Sequence, residues 1–437
     1  MSNVSSEDKV NETDSALDAL ARDFQAVTDT YDGTGAPDPF PLVAKLRQTS
    51  PVMEGDILAR FNVPSQADYG ESGRRVFTVF RYNDVIKVLR DPANWSSNIL
   101  ADGFGSATEN LLMTAMDGEE HKKFRALISP PFAMNLIRSW NDTLVRPIIM
   151  HDYIDKLRPL GRADLVRDYG LQFPVQVVYA MFGFPNDPAM TMQFATWALQ
   201  ILSGPQKDPA RAAVTQAAAF SAAVKLYEHM LPIVAARRAE NRKSDDLLGF
   251  LLHVEQDGVS FTDHDIANLL RMLLLAATET TTRTFAILML HLFQHPQVME
   301  RLRADRSLIP KAMNESMRLE PVNGHMARAA MQDMEIAGVT IPKGDAVTLS
   351  IFGAHRDETV FPDPDVFNID RPIRPLMGFG FGPHMCLGQH IARVEVEVAV
   401  DALLDLPHLR LDPDYPMPVL RAMQLRAPDH LRVRWDF

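Results

Sequence analysis

Between Phe261 and His295 the chain has the pattern of one long helix. Thr262 fits the N-cap, with Asp265 three residues on, and Phe261 and Ile266 fit a hydrophobic staple around that cap. Pro296 marks the stop. At about 1.5 Å per residue the helix spans roughly 50 Å, long enough to cross the whole molecule. Its centre breaks the local rules: Ala276-Ala277-Thr278-Glu279-Thr280-Thr281-Thr282-Arg283-Thr284. Thr is a mediocre helix former whose hydroxyl can bond the i−4 carbonyl and bend the helix. A glutamate amid apolar turns is costly without a partner or water. Two readings stand: a weak polar seam, or a functional site, where such rule-breaking concentrates.

Cys386 is the only cysteine of the chain. It lies in Phe379-Gly380-Phe381-Gly382-Pro383-His384-Met385-Cys386-Leu387-Gly388, which runs into a helical stretch from Gln389 to Arg393. A lone cysteine makes neither an internal disulfide nor, by itself, a cysteine-based zinc site. The bland reading is a buried, inert thiol. Against it, Gly380, Gly382 and Gly388 leave space for a flat ligand against the backbone. The helix start also favours a thiolate, which suits a metal centre or a nucleophile. A Gly-x-Cys-x-Gly nucleophile elbow would need glycine at 384, where His stands.

The 437 residues are 46% hydrophobic, enough for a large core; length alone would allow two or three domains. A net charge of −12 argues against nucleic-acid binding by bulk electrostatics. No apolar run of about 18 residues stands out, so no membrane span is predicted. The polar, acidic start lacks the features of a signal peptide, which points to the cytoplasm. The 22 methionines read mainly as core fillers.

Residues 1 to 20 read as a mobile N-terminal tail. A Gly/Pro-rich turn follows at Asp32–Pro39, then a short helix near Pro41–Gln48, a strand at Val76–Phe80 and a helix at Asn83–Arg90. The irregular segment Trp95–Met116 is long enough to be functional. Asp117–Leu127 reads as a helix with His121 and Arg125 on one face; from spacing alone that is most simply a solvated face. Leu144–Ser244 is mostly helical, broken at Gly183-Phe184-Pro185 and Ser203-Gly204-Pro205. The stripe Met192, Phe194, Trp197, Ile201, Leu202 is either core or lid. Glu315 and Arg318 share a helical face, a spacing that is commonly a surface ion pair worth little. Glu335–Gly344 reads as a hairpin and Val347–Phe352 as a strand.

The cysteine stretch resembles the haem-ligand loop of the cytochromes P450, Phe-Gly-x-Gly-x-His-x-Cys-x-Gly, at Phe379, Gly380, Gly382, His384, Cys386 and Gly388. Three further motifs resemble the family in the right order, so the likeness runs from about residue 75 to the C-terminus. His121-x-x-x-Arg125 resembles the C helix, Ala276-Ala277-Thr278-Glu279-Thr280-Thr281 the I helix, and Glu315-x-x-Arg318 the K helix, with Arg371 as third member of a structural triad. The resemblance implies a single P450 domain over residues 21–437, mainly α with small β-sheets, an α-rich part beside a smaller β-rich part. It implies haem b, with Cys386 as axial thiolate, which favours O–O cleavage. His121, Arg125, Arg328 and His384 would meet the two propionates, and Phe379, Ala276, Ala277 and Gly388 would border the ring. Thr280 would hold a water during oxygen activation while Glu279 gates protons from solvent.

The sequence departs from the family at Ala277, where glycine is usual, which narrows the groove near oxygen. His355 stands where many relatives carry Asn. By position, Leu100, Phe104, Trp197, Ile201, Met272, Leu275, Ala276, Gly324, Met326 and Met423 are candidate pocket residues; several would equally be ordinary core. Most are apolar and none is charged, which suggests a hydrophobic substrate. The implied activity is a soluble, bacterial-type monooxygenase, fed by a ferredoxin and its NAD(P)H-dependent reductase or by a flavodoxin. No flavin or nicotinamide domain is visible in the chain. Docking over Lys122 and Lys123 would suit an acidic ferredoxin. A peroxide-dependent P450 is the alternative within the family, although such enzymes usually lack the acid–alcohol pair. A haem-based sensor is the alternative outside catalysis, and it would need an output domain.

Overall fold

A computed structural model describes residues 6–33, 38–68, 73–102, 113–241, 243–256 and 258–437. The helices that frame the site are α1 (Ser6–Tyr31), α2 (Tyr82–Arg90), α3 (Gly118–Ile128), α4 (Phe173–Met181), α5 (Pro188–Leu202), α6 (Pro209–Glu240), α7 (Asp263–Gln294), α8 (Ile309–Leu319), α9 (Ile351–His355) and α10 (Gln389–Leu404).

The spine is α7, and its ends form as the cap chemistry dictates. The Asp265 N–H donates to Thr262 Oγ1 at 3.2 Å, and the Thr262 N–H donates back to Asp265 Oδ2 at 2.9 Å. Phe261 and Ile266 are both buried beside this cap. Pro296 opens the next helix, Pro296–Ala304, so the stop is a break between two helices. The central threonines do not interrupt α7. Thr278, Thr280, Thr282 and Thr284 donate their hydroxyls to the carbonyls of Leu274, Ala276, Thr278 and Thr280 at 2.6 to 2.9 Å, which satisfies them within the helix itself. Helices α4, α5, α6, α8 and α10 pack on α7, and Phe285 of α7 meets Tyr169 and Phe173 edge-on.

The main sheet has five strands: β1 (Val52–Glu54), β2 (Val76–Val79), β3 (Trp95–Ser96), β4 (His325–Ala330) and β5 (Ala346–Ser350), in the order β1-β2-β5-β4-β3. Only β2 and β5 run parallel, Ala346 opposite Val76. All five residues of β5 are buried, as a strand flanked on both edges requires. The strand expected at 347–352 ends at Ser350. There the hydroxyl accepts the Gly353 N–H at 3.2 Å and caps α9, so Ile351 and Phe352 become helical. A hairpin, Met334–Ile336 with Val339–Ile341, and a three-stranded sheet of 410–411, 432–434 and 162–164 lie apart from it.

The expected tail at residues 1–20 requires correction. From Ser6 onward the chain is α1, and Leu17, Leu20, Phe24 and Val27 are buried. Their spacing puts them on one helical face, which packs on α5 and on the turn before α4. Among the described residues α7 is the one helix long and apolar enough to cross a membrane, and 78% of its apolar window is buried in the interior.

Candidate active site

The Cys386 loop is built from its own backbone. The Cys386 N–H donates to the Phe379 carbonyl at 2.7 Å, and the Gly380 N–H to the Met377 carbonyl at 2.8 Å. Gly382 has φ +71°, and a Cβ there would come within 2.3 Å of the Leu89 carbonyl. Its role is therefore to let α2 approach, and not to face a ligand. Gly388 does face open space, with only Ile391 Cγ2 at 3.7 Å. The Arg393 guanidinium lies 5.0 Å over the Phe379 ring and fixes it.

Cys386 is exposed although protein crowds it from nearly every direction, so it borders an enclosed space. Burial raises its thiol above the ordinary range. The Gly388 N–H and the Arg125 charge pull the other way without overcoming it. The helix start alone therefore does not make the thiolate; a bound metal cation would.

A second open surface belongs to α7, which packs on α10. Ala276 is exposed, and Met272, Leu273, Ala277 and Thr280 are half-buried, on a helix otherwise in the core. These positions share one face at i, i+4, i+8 spacing. The Thr280 hydroxyl lies on that face, donating to the Ala276 carbonyl at 2.7 Å. Glu279 does not open toward solvent as expected of a gate. It is fully buried against Arg283, whose Nε donates to Oε1 at 2.7 Å. Burial raises its carboxyl above the usual range, opposed by Arg283.

Four basic groups converge beside the loop. The His121 and His384 rings are 4.1 Å apart between centroids, and Arg125 donates to the Met385 carbonyl at 2.6 Å. Arg328 is buried, with the adjacent Ala327 carbonyl at 2.7 Å as its partner. Burial pushes the Arg328 guanidinium down to about 10. Burial and the charges of Arg328, His121 and Arg125 push the His384 imidazole down to about 3. Asp117, the acid acting on Arg328 and His121, is engaged by the Ser96 hydroxyl and by the Ser97 N–H at 2.9 Å. His121 Nε2 is buried without a partner among the described residues. A cluster like this is completed by an anionic ligand.

A family model described as Cytochrome P450 matches residues 71–422. The chain belongs to the cytochrome P450 family. CymV of Salinispora arenicola, a cyclomarin C epoxidase, is 33% identical over 76% of this chain and 83% of its own length. The P450 monooxygenase PikC of Streptomyces venezuelae is 29% identical over 96% of this chain and 94% of its own. The structure of CYP109E1 from Bacillus megaterium in complex with testosterone has a TM-score of 0.76 at 25% identity, covering 92% of this chain and 100% of that one. The protein is thus a monooxygenase whose family cofactor is haem b. The basic cluster, the orphaned His121 Nε2, the open Gly388 and the accessible Cys386 sulfur all fit that group.

The P450 frame behind the loop is tied as a triad. Arg318 donates to both Glu315 oxygens at 2.8 and 2.9 Å, and Arg371 to Oε1 at 2.9 Å. These arginines also bind the Pro364, Asp363 and Val366 carbonyls, which fixes the segment leading to the loop. His355 has a consequence that its residue type did not signal: its Nε2 accepts the Met377 N–H at 2.8 Å, two residues before Phe379.

The candidate pocket residues separate. Leu100, Trp197, Met272 and Met326 are half-buried. Ile201 and Leu275 are 4% and 8% exposed and belong to the core. Met423, 3% exposed, packs with Phe352 and Val43. A Cβ on Gly324 would meet the Phe352 ring at 2.4 Å and the Met423 carbonyl at 2.6 Å, so this glycine serves close packing and not lining. Phe104 lies outside the described residues.

Proposed function

We propose that this P450 hydroxylates, or otherwise oxidises, a hydrophobic small molecule in the cytoplasm with O2 and two electrons from a ferredoxin and its NAD(P)H-dependent reductase, or from a flavodoxin. When bound, the haem would supply the iron centre at which dioxygen is activated, made electron-rich by a thiolate ligand. Cys386 would be that ligand. His121, Arg125, Arg328 and His384 would hold the propionates, and Phe379, Ala276, Ala277 and Gly388 would border the ring.

The observation that carries the reading is the adjacency on α7 of an open alcohol and a buried acid. Thr280, on the open face, holds a proton or a water at its Oγ1. Glu279 on the buried side is the proton reservoir, its carboxyl kept protonatable by burial. The pair disfavours the peroxide-dependent alternative. The half-open residues Leu100, Trp197, Met272 and Met326 are uncharged, which favours a substrate held by apolar contact. A cyclomarin C epoxidase among the relatives and a complex of another with testosterone support a bulky organic molecule. For electron entry, α3 exposes Lys122 and Lys123 and packs on the cysteine loop through Arg125. Glu119 pairs with Lys122 at 2.5 Å, while exposed Arg90, stacked 4.8 Å from the Phe381 ring, adds charge to the same side. An acidic carrier suits this face.

A spectral binding screen of hydrophobic compounds identifies a substrate, and Thr280→Ala is then assayed with it. The variant is expected to consume NADH and release hydrogen peroxide in place of product. Full coupling of oxygen use to product would overturn the role given to Thr280.

A further inference from the structure

Arg283 and Glu279 are both 0% exposed, deep in α7. Both guanidinium bonds, from Nε and Nη2, fall on Glu279 Oε1. Glu279 Oε2 is buried with no partner among the described residues. The rest of the Arg283 guanidinium is satisfied from α1. Nη1 donates to Thr28 Oγ1 at 3.1 Å, Nη2 to the Phe24 carbonyl at 3.5 Å, and Cζ lies 4.1 Å over the Phe24 ring. Phe24 and Thr28 are themselves fully buried. The first helix therefore covers the charged end of a pair in the middle of the longest core helix.

Besides the bonds to Arg283, α1 is held by hydrogen bonds near its C-terminal end, from Gln206 to Thr30 Oγ1 at 2.6 Å and from the Met423 N–H to the Tyr31 carbonyl at 2.8 Å, by apolar burial and by ion pairs. Leu17, Leu20, Phe24 and Val27 supply apolar burial. At the two ends the contacts are surface ion pairs: Arg167 with Asp18 at 2.7 Å and Asp14 at 3.2 Å, and Arg421 with Asp29 at 2.8 Å and Asp32 at 2.7 Å. Such pairs are weak and salt-screened, so local release of α1 costs less than global unfolding.

We propose that Arg283 is a positioning residue for Glu279 and that α1 is a displaceable cap on it, so that docking of α1 decides when the carboxyl exchanges protons with water. With α1 docked, Arg283 is fixed by Thr28 and Phe24, and a proton carried on Glu279 Oε2 is shut off from water. When Glu279 gives up that proton, Arg283 neutralises the carboxylate left behind. When α1 lifts, water reaches the pair and returns one proton to Oε2. This inference rests on the proton role given to Glu279 above.

The test uses the haem-loaded, full-length protein in two variants, Phe24→Leu with Thr28→Val, and Arg283→Lys. The first removes the Thr28 hydroxyl acceptor and the aromatic face while keeping both positions apolar; the second keeps the charge but cannot make the forked contact. Two readouts are taken. One is hydrogen–deuterium exchange of the backbone amides at 276–284, the other hydrogen peroxide released per O2 consumed. Exchange at 276–284 is expected to rise about tenfold in both variants, with an unchanged haem spectrum, as loss of a charged buried hydrogen bond implies. Peroxide yield is expected to rise with it. Wild-type exchange in both variants overturns the cap, and faster exchange with wild-type peroxide yield overturns its link to proton supply. Failure of the proton relay itself is distinguishable, because it appears as full coupling in Thr280→Ala.

Discussion

His121 on α3 and His384 in the cysteine loop stack with centroids 4.1 Å apart and a 31° tilt, with the His121 Nε2 left over. Two imidazoles pressed together between two arginines stay neutral, which is why burial and neighbouring charge lower both. The stack aligns α3 with the loop, and the spare nitrogen is what a propionate would take up.

His121→Phe keeps the ring contact and removes that donor. The variant is expected to fold and to lose haem about tenfold faster, the worth of one charge-assisted hydrogen bond. Transfer of haem to an apo-globin acceptor measures the rate, and a wild-type rate would contradict the assignment.

Glu315 sits between Arg318 and Arg371 in a nearly dry setting. Glu315→Gln leaves two guanidinium groups without their counter-charge, at a cost of about 3–5 kcal/mol. Urea unfolding of the haem-loaded protein should register it as a lower midpoint. A change below about 1 kcal/mol would show that the triad does not brace the loop.

Three buried histidines make stability depend on pH. Burial pushes His291 down to about 4 and His325 and His355 down to about 3, from 6.5. Below pH 6.5 the unfolded chain takes up protons that the folded chain refuses. Stability is therefore full above 6.5 and falls as pH drops toward 3, by about 1.4 kcal/mol per pH unit for each group. His355→Asn, which keeps an acceptor for the Met377 N–H, should lessen the slope between pH 6 and 4 by about 1.4 kcal/mol per pH unit, the share of one histidine. Urea titrations at several pH values give the slope; an unchanged one would mean that His355 titrates normally.

How much of this was legible depended on whether the partner lay nearby in sequence. The α7 cap and the shared face of Glu315 and Arg318 are local patterns readable from residue spacing, whereas the role of the cysteine loop and the bracing role of that pair came from the resemblance to cytochrome P450 motifs. The cover over Arg283 comes from Phe24 and Thr28, more than 250 positions away, and nothing near Arg283 announces it. The apolar spacing of Leu17, Leu20, Phe24 and Val27 was a usable signal for α1, outweighed by its polar start. Gly324 and Met423 looked like pocket residues because position alone does not reveal the Phe352 ring that fills the space.

Charge reversal of Lys122 and Lys123 to Glu should slow transfer of the first electron from an acidic ferredoxin at low salt, by roughly tenfold, and the difference should shrink as salt is added. Stopped-flow reduction measures it. An unchanged rate at low salt would remove α3 from the docking face.

The central claim is that Cys386 sulfur is the ligand of a haem iron. The direct measurement is the absorption of the haem-loaded protein, reduced and treated with carbon monoxide, beside Cys386→Ser. The wild type is expected to show the red-shifted band that marks a thiolate ligand, and the variant to lose it. A wild-type band without that shift, or an identical band in Cys386→Ser, would contradict the account.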